Sequence, residues 1–263
     1  MIMNKLFVMF IGFVKYKNLL FELVVRDIKV RYRKSVLGLL WTLLNPLMMM
    51  TVMTIVFSSL FKSNIPHFPV YFLTGSILFN FHSESTSQAL MSIISNASLI
   101  KKVYIPKYLF PLSRVLSSLV NLGFAFVALL LVMVFDGAPI NATVLLFFIP
   151  IVYLILFTTG LGLILSAVTV FFRDISHLYG VLTLLWTYMT PIFYPASIIS
   201  DHYKWIFKYN PMYYFINFFR EIMINGNFPG FVDNLLCFSI GILSMIVGLF
   251  TFYKCQNKFI LHV

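Results

Sequence analysis

Apolar residues in this chain fall into long uncharged runs separated by short polar segments, and the main departure from that pattern lies near the start. Over residues 18–35, NLLFELVVRDIKVRYRKS, the charged positions Glu22, Arg26, Lys29 and Arg33 recur at spacings of 4, 3 and 4. Phe21, Val24, Val25, Ile28 and Tyr32 fill the opposite side. This is the period of a helix with one cationic and one apolar face. Such a helix lies in the plane of a bilayer, apolar side down and cations toward the headgroups. From Val36 to Phe61 there is no charge, and that run exceeds the roughly 20 residues needed to cross a bilayer. The pattern predicts an interfacial helix at about 18–35 followed by a first span at about 37–61.

The remaining runs predict five more spans, at about 70–94, 115–135, 144–170, 178–194 and 234–253. His82 and Glu84 interrupt the second, and Gly160 and Gly162 lie within the fourth. Such glycines are tolerated in membrane helices whose neighbours satisfy the backbone. Residues 195–231 differ in character, being aromatic-rich, charged and broken by Pro211, Gly226 and Pro229. Neither half is a long enough uncharged run to span. The expectation is two short interfacial or re-entrant helices joined at Asn210-Pro211. Residues 1–14 read as a retained, membrane-surface N-terminus, because a basic cluster follows them instead of a cleavage site. The chain shows no linker, repeat or low-complexity segment, so residues 1–263 are expected to form a single all-α integral membrane domain of six spans.

Composition agrees. The chain is 60% hydrophobic and 10% charged, with a mean hydropathy of +0.94, whereas soluble domains carry roughly 25% charge. A net charge of +11 would point to nucleic acid in a soluble protein, but the spans account for it differently. Eight Lys/Arg precede the first span, four follow the second, one follows the fourth and two lie in the tail. Only Lys62, Lys204, Lys208 and Arg220 fall on the other side. The positive-inside rule then places both termini in the cytoplasm. Cys237 and Cys255 make no disulfide framework or metal-ligand spacing, and no phosphate-cradling glycine motif is present.

No catalytic constellation stands out among the five scattered histidines. Glu84, with His82 and Asn80 nearby, is the one acid inside a predicted span. It is read either as a functional group, since ionisable residues are costly in lipid, or as a hydrogen-bonded helix contact. In the loop after the second span, Leu99, Val103 and Tyr104 alternate with Lys101 and Lys102 ahead of Pro106. That mixture suits a short helix presented to a cytoplasmic partner, or cations snorkelling at the membrane surface. The aromatics at the end of the fifth span and beyond it, including Tyr188, Phe193, Tyr194 and Tyr213, suit an interfacial belt or stacking on the faces of sugar rings.

Four segments in order carry a resemblance: RDIKVRYRKSVLGLLWTLLNPL, NASLIKKVYIPKYLFPLSRVLSSLVN, FFRDISHLYGVL with MTPIFYP, and YNPMYYFINFFRE. Together they resemble the permease subunits of ABC transporters that export bacterial polysaccharides, namely O-antigen, capsule and teichoic acid, over about residues 20–253. The resemblance implies a homodimeric channel in the bacterial cytoplasmic membrane, powered by two separate ABC ATPase subunits that carry ATP and Mg, with no cofactor in this chain. It implies that Leu99, Lys101, Lys102, Val103, Tyr104 and Pro106 belong to a coupling helix docking on the ATPase, and that residues 195–231 form an external pair dipping back into the membrane. The cargo it implies is a lipid-linked polysaccharide on a polyprenyl pyrophosphate. Arg26, Lys29, Arg31 and Arg33 lie where such a head would approach, and equally where anchors for anionic membrane lipids belong. Candidate residues of the glycan path are Trp41, Asn45, Glu84, Tyr188, Phe193, Tyr194 and Tyr213. The competing readings are a permease for a drug or small lipid, a membrane-embedded glycan-modifying enzyme and a structural scaffold.

Overall fold

The computed structural model describes residues 15–33, 37–59 and 65–262, and every regular element among them is helical. In chain order these are α1 (Lys17–Tyr32), α2 (Leu40–Ser59), α3 (Phe68–Ser95), α4 (Ala97–Lys102), α5 (Leu109–Asp136) and α6 (Phe148–Phe171). Then come α7 (Ile175–Met189), α8 (Trp205–Lys208), α9 (Pro211–Met223), α10 (Phe231–Cys255) and α11 (Phe259–His262). The expected N-terminal surface segment at 1–14 and the end of the interfacial segment at 34–35 lie outside the described residues.

The bundle is built around α3, which packs along α5 and α6, and α10 closes on the far side of α6. Most of α3 is buried in protein on three sides. Its sequence can therefore afford His, Ser and Thr that a lipid-facing helix could not, because neighbouring helices satisfy them. Four stretches among the described residues are long and apolar enough to cross a membrane: Leu40–Phe57, Leu109–Asp136, Ala142–Phe171 and Phe231–His262. The second and fifth expected spans fall short of that standard for different reasons. At 28 residues α3 is long enough but too polar, whereas α7 has 15 residues, about 22 Å of helix.

Two apolar clusters hold the bundle. The larger joins α3, α5, α6 and α9 through residues such as Leu73, Leu78, Leu129, Met133 and Phe215. The smaller gathers Leu23 of α1, Ile100 of α4, Phe110 of α5, Val170 of α6, Phe252 of α10 and Phe259 of α11 at the other end. That end is also tied by Lys107, whose Nζ donates to the Gln256 carbonyl at 2.6 Å and sits over the Phe259 ring. Burial there lowers the Lys107 pKa from the usual lysine value. At the opposite end His67, with a left-handed φ of 52°, meets Asp136 at 2.7 Å and so joins the start of α3 to the end of α5.

Two local expectations need correction. The N-terminal helix has three faces, not two. Its buried positions are Leu20, Leu23 and Asp27, none of them on the expected apolar face, while Phe21 is 66% exposed. The cause is docking on α5, where Arg114 is ion-paired to Asp27 at 3.3 Å. The segment after α7 likewise does not divide into two comparable helices. Up to Asn210 it consists of two 3-10 turns and the four-residue α8, and only the second half forms a proper helix. The break does fall at Asn210-Pro211, where the Asn210 side chain caps α9 by accepting from the Met212 N–H at 3.0 Å.

Candidate functional site

Ser76, Asn80, Ser83, Glu84 and Ser87 share one face of α3 at helical spacing, and from Asn80 onward that face is the unburied side of the helix. They line a cavity of about 650 Å³. Its other walls are Trp41 and Asn45 of α2, Ser118 and Asn121 of α5, Thr187 of α7 and the Ile192-Phe193 segment beyond it. From Phe72 to Ser87 the cavity follows α3 for about 22 Å. A cleft of this length lined with hydroxyls, amides and aromatic rings suits a ligand with many hydrogen-bonding groups and some apolar faces.

The two ends of the cavity are chemically distinct. At one end Glu84 is ion-paired to Arg31 of α1. The same carboxylate oxygen accepts from Asn121 at 2.8 Å and from Gln88 at 2.9 Å. Tyr32 donates to the side-chain amide oxygen of Asn121 at 2.8 Å, so α1 closes this end with both residues. Burial raises the Tyr32 pKa, against the pull of neighbouring Arg31. At the other end the rings of Phe57, Phe68, Phe72 and Phe193 form a stack, with Phe57 and Phe68 5.4 Å apart and Phe72 and Phe193 5.8 Å apart.

Of the path residues expected from sequence, Trp41, Asn45, Glu84 and Phe193 line this one cavity. The other three lie elsewhere. Tyr188 is exposed on α7, and its carbonyl accepts from the Tyr194 hydroxyl at 2.7 Å. Tyr213 stacks on Phe207 at 5.2 Å beside a separate depression that includes Lys204 and Lys208. Asp201 borders that region, and the adjacent Lys204 ammonium lowers its carboxyl pKa. His82, expected to accompany Glu84, points the other way. It is buried against α6, with Nδ1 3.0 Å from the Thr158 hydroxyl, because residues two apart on a helix face opposite sides.

The four basic residues of α1 also divide. Arg31 is held by Glu84. Arg26 spans Asp27 at 3.0 Å and the side-chain oxygen of Asn96, the residue preceding α4, at 3.1 Å. Lys29 and Arg33 are exposed. On α4 and the turn after it, Leu99 is half-buried in the smaller cluster, Pro106 is intermediate, and Lys101, Lys102 and Val103 are exposed. Tyr104 is 92% exposed. Thr42, Ser83, Ser118 and Asn121 also line the cavity and were not singled out from sequence. Their one sequence signal is a polar residue recurring at helical spacing inside otherwise apolar runs.

The family model described as ABC-2 type transporter matches residues 18–224. An O-antigen export system permease protein RfbA of Klebsiella pneumoniae is 31% identical over 249 residues, covering 91% of this chain and 94% of that protein. A protein of the same description from Myxococcus xanthus is 33% identical over 82% of this chain and 84% of its own length. The polysialic acid transport protein KpsM of Escherichia coli is 23% identical over 91% of this chain and 92% of its own. With a family match over most of its length and four helices fit to cross a membrane, this chain is a multi-pass membrane protein of the ABC-2 type transporter family.

Proposed function

We propose that this chain is the membrane subunit of an ATP-driven exporter carrying a lipid-linked polysaccharide out across the cytoplasmic membrane. The observation that carries the reading is the cavity along α3. A glycan brings many hydroxyls that hydrocarbon cannot satisfy. The cavity offers Asn45, Asn80, Ser83, Ser87 and Asn121 as partners and Trp41 and Phe193 as stacking faces. Relatives named for O-antigen export and polysialic acid transport support the same class of cargo.

In this reading the chain crosses the membrane six times with both termini in the cytoplasm. The 22 Å length of α7 is extended by the Thr190–Phe193 segment, and α8 and α9 re-enter from outside. The Arg31–Glu84 end of the cavity is cytoplasmic and the aromatic end external. Two copies of the chain complete the channel, consistent with the broad apolar faces of α2 and α7, where Val52, Ile55, Val181 and Leu185 are all exposed. Two ABC ATPase subunits, holding ATP and Mg, dock on Lys101, Lys102, Val103 and Tyr104, while Leu99 and Pro106 support that surface from behind. Lys29 and Arg33 remain available to an anionic pyrophosphate head or to anionic lipids.

Depletion of the protein, followed by analysis of lipid-linked glycan on each face of the cytoplasmic membrane, tests the proposal. Full-length polymer trapped on the cytoplasmic face is the expected result. Normal surface display of a polymer lacking one modification would replace export with an enzyme, and unaltered glycan on both faces would replace the cargo.

A further inference from the structure

Arg220 lies near the end of α9 and is 7% exposed. Among the described residues no carboxylate stands within ion-pair distance of it. Its guanidinium is spent instead on backbone carbonyls. Nη1 donates to Pro191 at 2.9 Å, and Nη2 donates to Tyr71 at 3.2 Å and Ile192 at 3.5 Å. The guanidinium also lies over the Tyr71 ring, 3.6 Å from its centre. Gly75, one turn further along α3, leaves the room, since a Cβ there would stand 2.9 Å from Nη2.

The segment gripped in this way is the non-helical stretch after α7. Its far side faces the cavity, which Ile192 and Phe193 line. A second hold from α9 acts on the same stretch, as Asn210 donates to the Thr190 hydroxyl at 2.9 Å. Tyr71 adds a third by donating from its hydroxyl to the Tyr194 carbonyl at 2.9 Å. Phe193, thus fixed, completes the aromatic stack over one end of the cavity.

We propose that Arg220 is the positioning residue of the cavity's outer cap, holding the Thr190–Phe193 segment and its Phe193 ring across the exit. The proposal rests on the cavity being the export route. A planar guanidinium suits the task, because its fork serves carbonyls on two elements at once while it stacks on the ring between them. The contacts also divide in a way that permits release. The Tyr71 ring and carbonyl belong to α3 and stay with the cation when the segment leaves, and the departing Pro191 and Ile192 carbonyls are neutral. A carboxylate in their place would leave two unpaired charges on opening.

The test uses the assembled exporter in membranes, in a Cys237→Ser, Cys255→Ser background with Asn80→Cys as reporter inside the cavity. A membrane-impermeant thiol reagent is applied from outside. The expected result is a labelling rate at least tenfold higher with Arg220→Lys, which keeps the charge but loses the fork. Gly75→Ala, which keeps Arg220 but displaces it, is expected to raise the rate as well. A reporter on an outward-facing position of α10, Leu243→Cys, is expected to label at the same rate in all backgrounds. Unchanged Asn80→Cys labelling in both variants, with the protein present at parental amounts, overturns the proposal. So does an equal rise at Leu243→Cys, which signals general loosening. Neither result bears on the glycan trapped after depletion, so loss of the cap and loss of the export reading are distinguishable.

Discussion

Gly248→Ala puts the packing argument under its most severe load. In lipid, helices associate through van der Waals contact because the tails are as apolar as the side chains, so close backbone approach at small residues supplies much of the stability. The tightest approach here is between α6 and α10. A Cβ on Gly248 would fall closer than 3.0 Å to the O, C and Cα atoms of Gly160, a distance that real Cβ atoms essentially never show. Gly160 faces the backbone of Ser244 and Met245 in the same way, and Ser244 donates to the Phe157 carbonyl at 2.9 Å one turn earlier along α6. Since the opposing atoms are backbone, no rotamer change relieves the overlap and the helices must part. A gap of about 0.5–1 Å forfeits a quarter to a half of each dispersion well it opens. Overpacking costs about 1–3 kcal/mol in ordinary cores, and a contact with backbone on both sides belongs at the top of that range. At about 3 °C per kcal/mol for a chain of this size, Gly248→Ala should lower Tm by about 9 °C in detergent. Gly180→Ala is the matched control. Nothing lies within 4 Å of a Cβ at Gly180, so the change should be neutral or stabilising by about 0.5–1 kcal/mol. A Gly248→Ala protein melting within 1 °C of its parent would refute the packing account.

Other predictions follow from particular contacts. Arg31→Met and Glu84→Gln should each destabilise, and their double-mutant cycle should show a coupling of about 1–2 kcal/mol, below the value for a fully buried pair because both side chains keep some solvent; additivity within 0.3 kcal/mol, roughly the error of such cycles, would deny the pair a role. Tyr104→Ala should leave Tm unchanged yet abolish co-purification of the ATPase, since a fully exposed aromatic stabilises little in the subunit alone but anchors interfaces well. Retained co-purification would move the docking surface elsewhere. Phe259→Ala empties a fully buried position and should cost about 3 kcal/mol, the low end for Phe-to-Ala because a terminal helix relaxes readily. A loss below 1 kcal/mol would mean that the tail does not secure this end of the bundle.

The helices were largely readable from sequence because long uncharged runs have few alternatives in a membrane protein, and α2, α3, α5, α6 and α10 start and stop near the expected residues. What could not be read is which faces meet. The cationic and apolar faces of α1 follow from spacing, but its docked face depends on Arg114 and Asn96, which lie 70 or more positions away along the chain. Arg220 counted as one of four cations on the minority side, whereas the fold buries it on carbonyls that no sequence pattern marks. Trp41, Asn45, Glu84 and Phe193 could be singled out as polar or aromatic exceptions within spans, and the fold brings them into one cavity. Tyr188, Tyr194 and Tyr213 share the aromatic character of Phe193 and lie near it along the chain, but they do not line that cavity. Tyr188 reaches only the Phe193 ring, 6.2 Å away, and Tyr213 stacks on Phe207 instead.

The most direct test of the central claim is photocrosslinking in cells that are actively exporting polymer. A benzophenone-bearing residue in place of Ser83, inside the cavity, is compared with one in place of Leu243 on the outward-facing side of α10. If the cavity along α3 carries the polymer, the Ser83 position yields sugar-bearing adducts and the Leu243 position yields lipid adducts alone. Lipid adducts alone from both positions would contradict the account.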